Sequence, residues 1–207
     1  MIIMVNLKNY LQGKETLKLA KLIEKINKNI IVAVPSGDLE EVSKKTKLKV
    51  YAQHVDYREP GRGTGYVIPE ELKSLKVKGS IINHSEHRIP KQAIKKTIQR
   101  LKKLKLKSIV CAKNLKEVKE FKKLKPYAIA YEDPKLISTK KSITEYNKES
   151  VIKFSKLLKN TKIIPICGAG INEKEDVEEA KKLGCKGVLI ASAVANVKNP
   201  EKLLKQL

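Results

Sequence analysis

Short apolar runs alternate with amphipathic stretches along the whole chain. Runs rich in β-branched residues predict buried strands; they lie at residues 2–5, 30–34, 49–53, 80–83, 108–112, 127–131, 163–167 and 187–190. Between them, apolar residues recur at helical spacing, as Leu17, Ala20 and Ile23 do. The predicted helices cover residues 14–27, 38–45, 69–75, 90–104, 115–124, 148–158, 173–183 and 200–207.

This alternation of strand and helix predicts a parallel sheet joined by right-handed crossovers. Eight such units closing on themselves make a (β/α)8 barrel, the TIM-barrel fold. Neither a linker nor a low-complexity stretch divides the sequence, so we expect residues 1–207 to form a single domain. The length of 207 residues is small for this fold and implies short helices and loops.

The composition indicates the compartment. Hydrophobic residues make up 41% of the chain, yet no run approaches the roughly 18 apolar residues of a membrane span. The apolar start is too short for a signal peptide, because Asn6 and Lys8 follow at once. The three cysteines form no CxxC pair and are expected to be small buried side chains. These features predict a cytoplasmic protein without a membrane partner.

The formal net charge of +23 raises the possibility of a nucleic-acid partner. Arginines number only four and aromatic residues only 4%, so base readout and base stacking have few candidates. The lysines are spread over every predicted helix rather than forming one stripe. We therefore expect solvated helix faces and no nucleic-acid partner, with a field that attracts small anionic substrates.

Polar or small residues follow several of the predicted strands. They are Asn6 and Lys8, His84, Glu132, the turn Gly168-Ala169-Gly170, and the pair Ala191-Ser192. In a parallel barrel these positions converge on one mouth, where catalytic residues lie. Backbone N–H groups of the two small-residue turns are suited to binding a phosphate. Taken singly, Lys8 is one of many lysines and His84 is compatible with a strand-end histidine bonded to backbone.

Two loops differ from the rest in length. After Glu132, Pro134 is expected to stop any immediate helix, and the helical pattern resumes only near Asn147. The glycine-rich loop at residues 54–65 lacks the Gly-Lys-Ser/Thr of a Walker loop, and its length favours a functional or interface role. His54 and His87 are expected to be loop or surface residues rather than catalysts.

Four motifs carry a family resemblance. They read Asn6-x-Lys8, His84-Ser85-Glu86-x-Arg88, Ala130-Tyr131-Glu132-x-Pro134 and Cys167-Gly168-Ala169-Gly170-Ile171. In this order and spacing they resemble the triosephosphate isomerase family, and the short length with Leu189-Ile190-Ala191-Ser192 resembles its archaeal branch. The resemblance extends over essentially the whole chain.

The resemblance implies interconversion of dihydroxyacetone phosphate and D-glyceraldehyde 3-phosphate, without a cofactor or metal. It implies Glu132 as the base, neutral His84 as a donor to the developing oxyanion and Lys8 as a positive charge beside the substrate. The implied substrate-binding residues are Asn6, Lys8, Ile137, Gly170, Ala191 and Ser192. Glu86 would support the site. Thr64 would lie in a subunit-interface loop, which implies a homodimer or, as in the archaeal branch, a homotetramer.

Some positions depart from the family pattern. The segment after Glu132 reads Ser138-Thr139-Lys140 where glycines are usual, which concerns the closing of a lid rather than the identity of the base. Ala193 stands where glycine is common, and we expect phosphate binding to survive because backbone N–H groups perform it. Two alternatives remain open: an aldolase or synthase on the same scaffold, with Lys113 as its nearest Schiff-base candidate, and a basic nucleic-acid-binding protein.

Overall fold

The computed structural model describes residues 1–137, 139 and 141–207, and its strands close into a parallel barrel. The strands are β1 (Ile2–Asn6), β2 (Ile31–Val34), β3 (Lys49–Ala52), β4 (Gly79–Ile82), β5 (Lys107–Ala112), β6 (Ala128–Glu132), β7 (Ile164–Gly168) and β8 (Gly187–Ile190). Each pairs with its neighbours in chain order, and β1 pairs with β8 to complete the ring. The predicted (β/α)8 fold is confirmed.

Helices connect successive strands around the outside of the barrel. They are α1 (Lys14–Ile26), α2 (Leu39–Lys45), α3 (Pro69–Ser74), α4 (Lys91–Lys103), α5 (Leu115–Lys122), α6 (Ile143–Tyr146), α7 (Lys148–Leu158), α8 (Lys174–Lys182), α9 (Ser192–Ala195) and α10 (Glu201–Leu204). The described residues also form two single 3₁₀ turns, Ser36–Asp38 and Pro134–Leu136. Across the described part of the chain, no helix has the length and apolar character needed to cross a membrane.

The apolar side chains form two layers, as expected for strands buried on both faces. One cluster fills the barrel and includes Met4, Tyr51 and Ile109. The other lies between the sheet and the helices and includes Val32 and Phe154. The alternation along each strand sends successive side chains to the two layers, which fixes the register of the sheet.

Several helix ends show why the chain turns where it does. The side chain of Asn114 accepts a hydrogen bond from the N–H of Glu117 and caps α5. After α8, Gly184 adopts a left-handed conformation with φ of 90°, as predicted for a glycine stop. After α3 and α4 the equivalent positions are Lys76 and Lys105, with φ of 60° and 61°.

Two sequence predictions around Glu132 are wrong. Pro134 does not stop an immediate helical turn, because it opens the turn Pro134–Leu136, where proline at the first position loses no hydrogen bond. Helical structure resumes at Ile143 rather than near Asn147, since the Ser142 hydroxyl accepts a hydrogen bond from the N–H of Thr144 and starts α6. The last helix also ends early, at Leu204 instead of residue 207.

Candidate active site

The predicted site residues meet at the C-terminal end of the barrel. One cavity of about 30 Å³ is lined by Asn6, Lys8, His84, Glu132, Ile137, Gly170, Ala191 and Ser192, together with Ala169, Ile171, Asn172 and Leu189. All eight residues predicted from the sequence are in this set. Residues that are up to 186 positions apart therefore share one chamber, because parallel strands bring their carboxyl ends together.

Glu132 and His84 face each other inside the cavity. The last residue of β6, Glu132, is 6% exposed, and His84, which follows β4 by two residues, is 7% exposed. His84 Nε2 lies 3.5 Å from Glu132 Oε2. That carboxylate oxygen is buried and has no hydrogen-bond partner within the described residues. A buried carboxylate oxygen that lacks a hydrogen-bond partner is suited to accepting a proton from a substrate.

The backbone around His84 sets which ring nitrogen carries the proton. The N–H of Glu86 donates to His84 Nδ1 over 3.3 Å, so the neutral imidazole carries its hydrogen on Nε2, toward the cavity. Just before it, Asn83 has φ of 63°, and its side chain is held by two hydrogen bonds. Its amide donates to the Cys111 carbonyl at 3.0 Å, and its oxygen accepts from the N–H of Ile89 at 3.2 Å.

Lys8 supplies the positive charge of the site. Its backbone turns sharply after β1, with φ of 47°, and its N–H donates to Asn6 Oδ1 at 3.0 Å. The ammonium group lies 2.6 Å from Glu86 Oε1, and the side chain is only 11% exposed. Glu86 thus contacts both the lysine and, through its backbone, the histidine. This agrees with a supporting position beside the site.

Two glycines at the end of β7 and in the turn after it leave no room for a side chain. A Cβ atom on Gly170, whose φ is 68°, would lie 1.9 Å from the carbonyl oxygen of Lys141. A Cβ atom on Gly168 would lie 3.0 Å from Glu132 Oε1. These glycines therefore do more than form a turn. Gly170 leaves room for Lys141, in the segment after Glu132, and Gly168 leaves room for the carboxylate of Glu132.

Residues of two turns, Gly170 in one and Ala191 and Ser192 in the other, line the same chamber. Within the described residues, those of Gly170 and Ser192 donate to no protein acceptor. Ser192 begins α9, where the first N–H groups of a helix lack internal partners. Unpaired N–H groups grouped in this way suit an anion.

The segment after Glu132 closes one side of the cavity. Asp133 caps the turn Pro134–Leu136 by accepting from the N–H of Lys135, and Asn147 donates to its other oxygen at 3.0 Å. Ile137 then lines the chamber. Among the positions after Glu132 that depart from the family pattern, Ser138 and Lys140 lie outside the described residues.

A second, larger cleft of about 790 Å³ adjoins the chamber and shares Asn6, Lys8 and His84 with it. The 54–65 loop forms one wall of this cleft through His54 and Gly65. His54 stacks on His87 with ring centroids 4.2 Å apart, and burial is the main cause that lowers the pKa of His54. Neither histidine lines the chamber that holds Glu132, and the absence of a catalytic role stays a prediction.

Sequence reasoning missed several residues at the site. Cys111, near the end of β5, contacts Glu132, and burial followed by this neighbouring charge raises the pKa of its thiol. Ile171 and Leu189 provide apolar lining. The signal for Asn83 was present: asparagine tolerates positive φ and directly precedes His84. For Cys111 the signal in the sequence was weaker, because it consisted only of a position on β5, the strand before the one that ends at Glu132.

The geometry gives little support to Schiff-base chemistry at Lys113 or to a metal site. Lys113 is exposed, its N–H is bonded to Glu117, and it lines neither cavity described above. Among the residues that the structure describes, no group of three or more His, Cys, Asp or Glu side chains is arranged to hold a metal ion. A reaction without metal or cofactor stays a prediction.

Comparison with known proteins adds independent evidence. A family model described as triosephosphate isomerase matches residues 1–207. The curated triosephosphate isomerase of Saccharolobus solfataricus is 40% identical over 211 residues, covering 99% of this chain and 93% of that protein. Those of Methanocaldococcus jannaschii and Sulfolobus acidocaldarius are 38% and 37% identical, covering 100% and 99% of this chain and 98% and 92% of their own lengths. This chain belongs to the triosephosphate isomerase family.

Proposed function

We propose that this protein interconverts dihydroxyacetone phosphate and D-glyceraldehyde 3-phosphate, a reaction of glycolysis and gluconeogenesis. The observation that carries the proposal is the buried pair Glu132 and His84, 3.5 Å apart, in one chamber with Lys8. The reaction moves a proton between adjacent carbons and moves a carbonyl group in the opposite direction. It requires one base, one donor to the oxygens and a phosphate site.

Glu132 acts as the base. Its carboxylate removes the proton from one carbon of the substrate and returns it to the neighbouring carbon, through an enediolate. Burial on all sides favours this role, because water is kept from the intermediate while the proton is held. The absence of a protein hydrogen bond to Oε2, within the described residues, leaves that oxygen available to the substrate.

His84 and Lys8 stabilise the charge that develops on the substrate oxygens. The Nε2–H of His84 points into the chamber because Nδ1 is occupied by the Glu86 N–H. Lys8 adds a positive charge in a poorly solvated position, where its electrostatic effect is larger than in water. Asn6 fixes the turn that carries Lys8 and helps to position the substrate.

The phosphate group is held by backbone N–H groups of Gly170, Ala191 and Ser192, with Ile137 beside it. By its volume of about 30 Å³ the chamber holds about two water molecules, so it takes up only part of the substrate. The adjoining cleft of about 790 Å³, which shares Asn6, Lys8 and His84 with the chamber, offers the remaining space.

The test is isomerisation of D-glyceraldehyde 3-phosphate by the purified chain, followed in a coupled assay. Glu132→Gln keeps the shape of the side chain and removes the base, and it is expected to lower kcat by about 10²–10⁴-fold. Glu145→Gln, on the exposed face of α6, is the matched control and should keep full activity. Equal activity of the wild-type chain and Glu132→Gln would reject Glu132 as the base.

We also propose that the protein is a single-domain homo-oligomer, a dimer or tetramer, of the cytoplasm. The exposed loop at residues 54–65 beside the large cleft supports association, and Tyr66 at its end is 44% exposed. The closed barrel spanning residues 2–190 supports the single domain. Three buried free cysteines fit a reducing compartment. Light scattering on the purified protein measures the number of subunits directly.

A further inference from the structure

At the opposite, N-terminal end of the barrel lies a pocket in which six of the nine lining residues are lysines. Its volume is about 420 Å³, and it lies at the start of β3 and where α3 and α4 lead into β4 and β5. We call it the lysine pocket; its basic residues are Lys49, Lys73, Lys76, Lys78, Lys105 and Lys107. No carboxylate lines it. Its volume falls within the range of small-molecule sites.

The charges of the lysine pocket are uncompensated. Elsewhere many lysines pair with glutamates, as Lys44 does with Glu40 and Lys205 with Glu201. None of the six pocket lysines makes a salt bridge within the described residues, and Lys107 contacts only the hydroxyl and ring of Tyr127. Like charges around one concavity repel each other and attract a multivalent anion.

Two of these lysines occupy positions that favour glycine. Lys76 and Lys105 have φ of 60° and 61°, directly after α3 and α4. The hydrogen bonds are those of a glycine-type helix stop, with Val77 N–H donating to Leu72 and Leu106 N–H donating to Leu101. The same turn after α8 uses Gly184. Lysine at these two turns adds charge to the pocket where the backbone conformation favours glycine.

A buried tyrosine also lines this pocket. Tyr51 is 2% exposed and belongs to the cluster that fills the barrel. Burial, with a smaller contribution from Tyr127, raises the pKa of Tyr51, so the phenol stays protonated and able to donate a hydrogen bond.

We propose that the lysine pocket is a second anion site, separate from the active site, which binds a small ligand carrying a chain of phosphate groups. Lysine ammonium groups bind phosphate oxygens as mobile point charges, and a phosphate chain presents several oxygens at once. Inorganic polyphosphate and the phosphate chain of a nucleotide share this chemistry.

The two anion sites lie at opposite ends of the strands. Lys49 and Lys107 begin β3 and β5, whereas Glu132 ends β6. A strand of five residues spans roughly 16 Å, which exceeds the Debye length of about 8 Å at physiological salt. Binding at the lysine pocket therefore goes beyond the proposed isomerase reaction and does not depend on it.

Calorimetric titration of the full chain with tripolyphosphate, and separately with ATP, tests the proposal. The variant Lys49→Gln/Lys78→Gln removes two pocket charges whose side chains make no salt bridge within the described residues. It is expected to bind the probe about 10- to 100-fold more weakly. The control Lys95→Gln/Lys119→Gln removes two exposed helix charges outside the pocket and should bind as the wild type does.

Lys105→Gly provides a second, opposite readout. Glycine suits the left-handed turn, so this variant is expected to melt at a higher temperature and yet to bind the phosphate chain more weakly. A general loss of folding cannot produce this pair of results. Isomerase activity of all these variants should stay within about twofold of wild type, since none lies in the chamber.

The source of the ligand follows from the two probes. Weaker binding of tripolyphosphate and ATP alike in the pocket variant supports recognition of the phosphate chain, and tighter binding of ATP identifies a nucleotide. Equal loss in the pocket and control variants would assign binding to the overall charge and overturn the proposal. Tight binding of a single-stranded RNA, weakened equally by both double variants, would also overturn it in favour of a diffuse nucleic-acid surface.

Discussion

Gly168→Ala tests whether the room around the base is as tight as the structure indicates. Gly168 pairs with Glu132 in the sheet, and its added Cβ atom would lie 3.0 Å from Glu132 Oε1 and 3.1 Å from Cγ. The same atom would lie 3.2 Å from the Cβ of Leu189. The methyl group is thus confined between the base and the neighbouring strand, and one of them has to shift.

The size of the shift follows from these distances. Ordinary contact begins at 3.4 Å, so relief of the contact at 3.0 Å requires a displacement of about 0.4 Å. Misplacement of a catalytic group by 1 Å costs about 10²-fold in rate, which suggests a loss of roughly five- to tenfold in kcat for this displacement. Overpacking of the strands is expected to lower the free energy of unfolding by about 1–3 kcal/mol.

The assay measures kcat and KM for D-glyceraldehyde 3-phosphate beside a thermal melt. Gly37→Ala is the control, because a Cβ atom on Gly37 meets nothing within 4 Å and its φ is not positive. The prediction is a lower kcat with nearly unchanged KM in Gly168→Ala alone. Full kcat in a Gly168→Ala protein of wild-type stability would refute the view that this glycine sets the position of Glu132.

Three further predictions concern the framework of the site. Gly170→Ala should lower the free energy of unfolding by about 3 kcal/mol or more, because its Cβ atom would overlap the Lys141 carbonyl; a urea melt measures this. Asn83→Ala loses two hydrogen bonds at positive φ and should cost about 2–3 kcal/mol in the same measurement. Because burial raises the pKa of Cys111, its contribution to stability is complete below the unfolded thiol pKa of about 8.5 and falls by about 1 kcal/mol per pH unit above it. Melts of the wild type and Cys111→Ala at pH 7 and pH 9.5 should differ in this decline, and parallel declines would contradict the assignment.

Hydrophobic periodicity predicted both ends of all eight strands to within one residue, because strands buried on both faces leave a strong apolar signal. It failed where elements are too short to show a period. The four-residue helix α6 depends on one hydroxyl of Ser142. The turn at Pro134 depends on the Asp133 carboxylate, which periodicity cannot detect.

For the site, the sequence predicted the strand-end residues because the fold alone brings them together. It did not predict the contact of Cys111 with Glu132, since that requires the register in which Cys111 pairs with Ala130. Nor did it predict the direction of the His84 proton, which depends on the Glu86 backbone. The lysine pocket was missed because its six residues come from separate helix-to-strand turns.

The pairing of β1 with β8 has a consequence for synthesis of the chain. Ile2 pairs with Gly187, so the ring cannot close until nearly the whole chain has left the ribosome. Until then, the outer edge of β1 presents unpaired backbone groups to other nascent chains, a condition that favours misassembly. A net charge of +23 makes such chains repel one another during that interval. The abundance of lysine thereby opposes misassembly of the chain before the barrel has closed.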